Sequence, residues 1–565
     1  MRLSSRWLAG ALTLAGFALV TAWLVARVSD NDVWFHMVVG REMLRTKGIP
    51  VAEFYKYTLL GQPAEFHEWG CGVVSELAFQ AGGFLGLAVL NAGVSAAAVL
   101  LVAAAARRRG ASLGSVLLLV GPLAVIASYR FQYRPETILY LALGAGLYAL
   151  EANRWLALPL LTLGLALFHP SPIVLLLVGA AYAVDVGIEE RGRSKRLAGV
   201  IAVLALAALS VGIAPYGLRQ LTLPVELYLQ GDVSKMIAEF QPVMQTQFRY
   251  RTIAVAGAAA LGIVFARPRR ASDVLLVVAF GYLAFAHMRN GALFAIVTFG
   301  PAAVALTKGL HRLSLPFQIG VALASLATVS VAFLTSLQWG IGAYPDFLPA
   351  GTADFIQAHR PPGNIGNELG HRGYLAWRLY PDYLVSADGR ILRRDRAIEI
   401  SDRILSGQPG RHDVARYYGG TMVEATPVNF VSGQLSGAVA ALDRSPDWVP
   451  VVADLASVLY VKRGLVPDAL DLPRERVWSL VRYVADGLAP LMSDAPAVYL
   501  TRGTANFKLH DFARAALDFG RYSNLVPSDQ EASAFARQLA AAVAGDDAAK
   551  RLVEERYAQG LQPPQ

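Results

Sequence analysis

The chain has 565 residues, of which 55% are hydrophobic and only 16% charged, against about 45–50% and about 25% in an average soluble domain; its mean hydropathy is +0.42. This composition excludes a soluble enzyme and a disordered or collagen-like chain, and leaves a polytopic membrane protein with a water-soluble portion attached. The single Cys71 and the lack of a Cys/His cluster with zinc-like spacing exclude an internal disulfide and argue against redox chemistry. A net charge of +9 raises nucleic acid as a partner only until the charges are located.

Windows of about 20 apolar residues place spans at 7–27, 84–106, 112–128, 136–150, 155–170, 172–187, 197–214, 251–266, 273–288, 291–307 and 316–336, about eleven in all. The first reads as a retained signal-anchor, because Arg2 and Arg6 precede it and no small-x-small cleavage site follows. With the N-terminus cytoplasmic, alternate loops carry Arg107-Arg108-Arg109, Arg154, Arg191 to Arg196, Arg267 to Arg270, Lys308 and Arg312, against five acids: Glu151, Asp185, Glu189, Glu190 and Asp273. Every inner loop then meets the positive-inside rule. The basicity is a topology signal, and nucleic acid is set aside. An odd number of spans puts everything after about Leu337 outside, so 1–340 reads as a transmembrane domain whose long outer loops are 28–83 and 215–250.

The first outer loop begins Ser29-Asp30-Asn31-Asp32-Val33-Trp34-Phe35-His36. Asp32 and His36 share a helix face, while Trp34, Met37, Val38 and Leu44 form an apolar stripe suited to an amphipathic helix lying in the interface. Asp30 and Asp32 either hold a divalent metal through hard oxygen ligands or supply a general base; alternatively, one of them caps the following helix. Further candidates are His67 and Glu68, before the second span, Arg130 and Arg134 in the turn Tyr129 to Glu136 after the third, His169 after the fifth, Arg219 and Glu226 after the seventh, Glu239 in Ile237-Ala238-Glu239-Phe240-Gln241-Pro242, and His287 and Arg289 after the ninth. All fall on the outer side. Ionisable groups at membrane depth mark sites, and arginines among carboxylates suit a phosphate-bearing lipid; the alternative is that Arg130, Arg134 and Arg289 contact lipid headgroups.

Beyond Pro345 the composition becomes that of a soluble protein. Helices are expected at Ala353 to Ala358 and Tyr374 to Leu379, and strands at Asn364 to Asn367, Tyr383 to Ser386, Trp448 to Ala453 and Ser457 to Val461, the last two as a hairpin. This alternation predicts an extracytoplasmic α/β domain over 341–468. The remainder, 469–565, reads as helical: Asn506 to Ala515 and on to Pro527, with small residues at Gly503 and Ala515, has the spacing of one tetratricopeptide repeat. Gly560 to Gln565 should fray.

The run Asp32-Val33-Trp34-Phe35-His36, with Gly40, Gly48-Ile49-Pro50, Tyr57-Thr58, Gly61 and Glu68-Trp69, resembles the first outer loop of a group of bacterial polytopic proteins with GT-C-like glycosyltransferase architecture. Glu239-Phe240-Gln241-Pro242, Arg289-Asn290, Gly373-Tyr374-Leu375-Ala376-Trp377 with Asp388-Gly389-Arg390, and Ser445-Pro446-Asp447-Trp448 are similar too. The resemblance implies a mainly α fold, GT-C-like, of about eleven spans with the α/β domain and helical-repeat tail outside. It also implies transfer of a sugar from a polyprenyl-phosphate-type donor, in the bacterial cytoplasmic membrane, to an envelope glycan, lipid or protein on the outer face. Asp32 is then the base or metal ligand, with Asp30 as its partner and Mg or Mn as the divalent cation.

The expected site therefore comprises Asp32, Asp30, His36 and Glu68 for catalysis, Asp30 and Asp32 for metal, and Arg130, Arg134, His169, Glu239, His287 and Arg289 for substrate. The expected partners are membrane lipids, the lipid-linked donor and a protein bound through the helical tail. A second reading makes the chain a non-catalytic scaffold whose outer domains recruit envelope-assembly partners, because stacked repeats form binding surfaces. A transporter is least favoured, since neither a two-half hydropathy repeat nor charges at mid-span are evident.

Overall fold

Long runs of small and apolar residues make the first part of the chain helical, because a helix satisfies its own backbone hydrogen bonds where water is absent. The computed structural model describes residues 5–29, 31–191, 194–229, 238–311, 314–368, 370–387 and 420–559. Asp30, Asp388-Gly389-Arg390 and Gly560 to Gln565 lie outside them. Two compact units form: Met1–Pro50 with Glu65–Ala343, and Val51–Ala64 with Tyr344–Gln565.

The first unit comprises α1 (Ser5–Leu24), α2 (Asp32–Thr46), α3 (Trp69–Arg108), α4 (Leu113–Ala127), α5 (Glu136–Glu151), α6 (Ala157–Phe168), α7 (Ile173–Glu189), α8 (Lys195–Ser210), α9 (Arg219–Leu229), α10 (Arg249–Phe265), α11 (Ala271–Ala286), α12 (Gly291–Leu310) and α13 (Leu315–Leu334). A helix stands at each expected span, yet the expectation of eleven is corrected. Among the described residues only four segments are long and apolar enough to cross a membrane: Trp69–Arg108, Lys195–Ile213, Met288–Leu310 and Pro316–Leu334. Length is the reason: α4 has 15 residues and α6 has 12, which rise about 22 and 18 Å, short of the roughly 30 Å hydrocarbon core. The longest helix, α3, leaves helical geometry at Gly82 and Gly83, just before the expected span 84–106.

Small residues let these helices approach closely: Ala92, Ala96, Val99 and Val102 of α3 share a core with Leu139, Leu143 and Leu147 of α5. At the basic end, Arg109 pairs with Asp273, Arg270 Nη1 with Glu151 Oε1 at 2.7 Å, and the Ser272 N–H donates to Asp185 Oδ1 at 3.0 Å. Three of the five acids counted on that side therefore serve as ties between helices. Because α3 leaves helical geometry at Gly82 and Gly83, it is two helices in series: Trp69 opens the first, and Arg108 closes the second beside this basic belt.

In the second unit, β1 (Asn364–Gly366), β2 (Gly420–Ala425), β3 (Trp448–Ala453) and β4 (Val458–Lys462) form a sheet of order β1-β2-β4-β3. The β1/β2 pair is parallel and the other two pairs are antiparallel. The β3/β4 hairpin closes on Asp454, whose Oδ1 accepts the Ala456 and Ser457 N–H groups at 3.0 and 2.8 Å. Helices α14 (Ala350–His359) and α15 (Arg372–Leu379) follow the expected positions and α16 is Gly437–Leu442. The strand expected at Tyr383 to Ser386 reduces to bridges at Val385, which pairs with Ile365 on one side and Lys56 on the other. The Tyr57 N–H donates to Val385 O and the Val385 N–H to Tyr55 O, both at 3.1 Å, while Thr58 Oγ1 donates to Ser386 O at 2.6 Å. Residues 51–64, expected in an outer loop of the transmembrane domain, thus lengthen this sheet.

Trp478 and Val481 of α17 (Arg474–Leu488) enter the sheet's core with Trp448 and Tyr460. Then α18 (Pro496–Lys508), α19 (Phe512–Leu525), α20 (Gln530–Val543) and α21 (Asp547–Ala558) stack in succession around Phe507, Phe519, Phe535 and Val553.

Candidate functional site

The site begins where α2 crosses α3. A Cβ on Gly40 would stand 2.2 Å from Gly72 O, and one on Gly72 would stand 2.3 Å from His36 O. Only glycines permit so close a crossing. It buries Trp34, Met37 and Val38, so three of the four residues of the expected apolar stripe pack into the helical unit, while Leu44 stays exposed. His36 is buried as well, with Nε2 3.4 Å from Glu68 Oε2. The N-cap is Asn31, without a side-chain capping bond. Asp32 therefore does not cap α2; its side chain is 34% exposed in the first turn.

The turn between α4 and α5 faces it. Arg130, whose side chain is only 3% exposed, pairs with Glu136 and, through Nη1, with Glu239 Oε1 at 2.7 Å. Arg134 pairs with Glu239 and reaches Asp32, with Nη2 3.7 Å from Oδ2. From the turn before α12, Arg289 Nη2 donates to Glu136 Oε1 at 2.8 Å and its guanidinium lies 4.9 Å from the centroid of Phe240. His287 Nδ1 stands 2.7 Å from Phe240 O, and Tyr129 Oη donates to Met288 O at 2.5 Å. These bonds tie the 128–136 turn, the 239–241 segment and the 287–290 turn together. His169 is buried and accepts the Ser171 N–H at Nδ1, 3.1 Å away; Glu136, Arg289 and Arg130 are its electrostatic neighbours.

Asp32, Arg134, Glu239, Arg130, Glu136 and Arg289 thus form one continuous chain of ion pairs drawn from four segments, with His36 and Glu68 beside it. Burial alone would raise the Glu239 carboxyl, but the guanidinium groups of Arg130 and Arg134 hold it below the usual range. Glu68 goes the other way: burial, then the charges of Glu136 and Asp32, push it up to about 8. The two carboxyls are shifted in opposite directions, the divergence expected of groups with different chemical roles. Sequence reasoning left Glu136 out of the chosen site. Its signal was available in Arg134 and Pro135 just before the start of α5, but nothing in a sequence says which cation meets which acid. Among the described residues no three His, Cys, Asp or Glu side chains are arranged to hold a metal ion.

No protein-family model and no curated protein matches the chain. Solved structures do. The oligosaccharyltransferase of Archaeoglobus fulgidus in its apo form aligns with a TM-score of 0.55 at 12% identity, over 84% of this chain and 78% of that one. The same enzyme tethered to an acceptor peptide containing the NVT sequon gives 0.53 at 12%, over 76% and 70%. The archaeal oligosaccharyltransferase AglB from Archaeoglobus fulgidus, in complex with an inhibitory peptide and a dolichol-phosphate, gives 0.53 at 12%, over 93% and 87%. At this identity the likeness is one of fold alone: a mainly α, multi-span domain followed by a C-terminal region.

Proposed function

We propose that the chain is a GT-C-like glycosyltransferase of the bacterial cytoplasmic membrane. In this reading it takes a sugar from a polyprenyl-phosphate-type donor and transfers it to an envelope glycan, lipid or protein on the extracytoplasmic face. The observation that carries this reading is the ion-pair chain, which leaves one partly exposed carboxylate, Asp32, beside the partly exposed guanidinium groups of Arg134 and Arg289. The shared fold with oligosaccharyltransferases supports it.

Asp32 takes the proton of the acceptor nucleophile as that atom bonds to the sugar's anomeric carbon. The bond from that carbon to the lipid phosphate breaks, and its electron pair leaves with the phosphate. Arg134 and Arg289, each partly exposed, stabilise the departing charge. Arg130 is spent on Glu136 and Glu239 and acts as a positioning residue, and His36 with Glu68 orients α2. The divalent cation, Mg or Mn, would take oxygen ligands from Asp32 and Asp30, the latter outside the described residues, and would supply charge for the phosphate.

The test is mass spectrometry of lipid-linked and surface glycans in a deletion strain complemented with wild type, Asp32→Asn, or a chain ending after Met492. That end point spares α17, which belongs to the sheet's core. Glycan restored by wild type and the shortened chain, but not by normally expressed Asp32→Asn, is the expected result. Full restoration by Asp32→Asn refutes catalysis at this site, and failure of the shortened chain alone would favour the scaffold.

A further inference from the structure

Beside the ion-pair chain lies a cavity of about 400 Å³, partly open to its surroundings. Its shape comes from the break in α3. Gly83 sits at φ 55°, ψ −137°, a conformation that glycine alone adopts readily, and a Cβ on Gly86 would stand 2.0 Å from Ala78 O. Residues eight apart are separated by about 12 Å along a straight helix, so the chain turns back sharply here. Cys71 and Val74 before the break, and Leu90 and Val94 after it, consequently line the same space, together with Ile138 of α5 and Phe168 of α6.

The wall offers little to a polar ligand. Tyr133, Thr137 and Asn91 line it too, but each donates to a backbone carbonyl of the chain itself: Tyr133 Oη to Ala26 O at 2.5 Å, Thr137 Oγ1 to Gln132 O at 2.8 Å and Asn91 Nδ2 to Phe131 O at 3.0 Å. A sugar would give up its hydrogen bonds to water there and regain few. The exception is Arg134, which lines the cavity and also pairs with Asp32 and Glu239. The cavity is thus apolar with one guanidinium in its wall, that of the arginine beside Asp32. This suits a ligand that is apolar along its length and anionic at one end. A volume near the lower end of the roughly 300–1,000 Å³ of small-ligand pockets suits one such chain better than the two of a bilayer phospholipid.

We propose that this cavity seats the phosphate-bearing end of a single-chain lipid, the sugar donor's own, with the phosphate on Arg134 and the first stretch of chain between the two limbs of α3. This deepens the glycosyltransferase reading and rests on it. A donor held in this way is gripped by its lipid end, whatever sugar it carries.

The chain's single cysteine supplies the reporter, since Cys71 lines the cavity. The full-length protein is purified into amphipol free of phospholipid, and modification of Cys71 by methyl methanethiosulfonate is followed by intact-mass spectrometry. Farnesyl phosphate should slow that reaction about tenfold at ten times its Kd. Farnesol should protect only at higher concentration, and inorganic phosphate not at all. Arg134→Gln should reduce protection by farnesyl phosphate to the level of farnesol, while the wild-type comparison needs no substitution. No protection by farnesyl phosphate, equal protection by inorganic phosphate, or a thiol that reacts in no sample overturns the proposal. So does a thiol already protected in phospholipid nanodiscs without added ligand, which would assign the cavity to bilayer lipid. Because no sugar is transferred in this measurement, it fails separately from the glycan assay. Protection by farnesyl phosphate together with full glycan in Asp32→Asn keeps the lipid site and removes the catalytic reading, and glycan loss in Asp32→Asn without protection does the reverse.

Discussion

Breaking the Arg130/Glu136 pair should do more harm than deleting it. Glu136→Gln strands a guanidinium that is 3% exposed, and removing one partner of a buried pair costs about 3–5 kcal/mol. Glu239 still holds Arg130, so the expected loss is near the lower figure, measured as a reduced thermal midpoint in detergent. The double variant Arg130→Met, Glu136→Leu should regain most of that stability while transferring no sugar, and a double variant that stays active would remove the pair from the mechanism. In the second unit, His371 Nδ1 lies 2.6 Å from Glu424 Oε1. Burial works to lower the His371 pKa, but Glu424's charge and hydrogen bond raise it above its ordinary value; burial, then Glu424, also raises Glu368. Both groups bind protons more tightly folded than unfolded. The His371 contribution is complete below its unfolded value of about 6.5 and is lost as pH rises through the higher folded value, and Glu368 acts in the same direction. Proteolytic susceptibility of β2 to β4 in the full chain should accordingly increase as pH rises above about 6.5, and His371→Gln should flatten that dependence. Single residues were the least legible level of the sequence: Arg130, taken alone, read more readily as a headgroup contact than as a phosphate ligand, whereas it is buried on Glu136 and on Glu239, which lies far along the chain.

Helices were more legible than their lengths. An apolar run announces a helix, and each expected one is present, but where it stops depends on turns such as Ser128 to Pro135 that a hydropathy window averages away. Strands fared unevenly for the same reason. The β3/β4 hairpin is a local pairing and was read from its sequence, whereas β2 was not, because buried Glu424 interrupts its apolar pattern and its partners Ile365 and Tyr460 lie distant in sequence. The α2/α3 crossing is the element on which the site depends most. Gly72→Ala would place a methyl 2.3 Å from His36 O, forcing the helices apart and carrying Asp32 and His36 with α2. Misplacement by about 1 Å costs on the order of a hundredfold in rate. Glycan transfer should therefore fall by about that factor in a Gly72→Ala protein that still reaches the membrane, and undiminished transfer would show that the crossing distance does not set the site.

For the molecule as a whole, the division into two units does not follow the chain. The second unit runs from Tyr344 to Gln565 and also takes in Val51–Ala64, a stretch whose own sequence carries no mark of belonging there. A fragment of 344–565 should consequently leave the Val385 edge unpaired, and an exposed edge invites association. Light scattering should find that fragment self-associating, and a version with Val51–Ala64 fused through a flexible linker monomeric; a monomeric unfused fragment would show the added segment to be dispensable. This arrangement also imposes a schedule on biosynthesis. Val51–Ala64 leaves the ribosome about 280 residues ahead of Tyr344, and at about 5–20 residues per second that is a wait of roughly 15–55 s. The sheet can close only after the intervening helices have been made, so its completion reports that the chain ahead of it has been delivered in full.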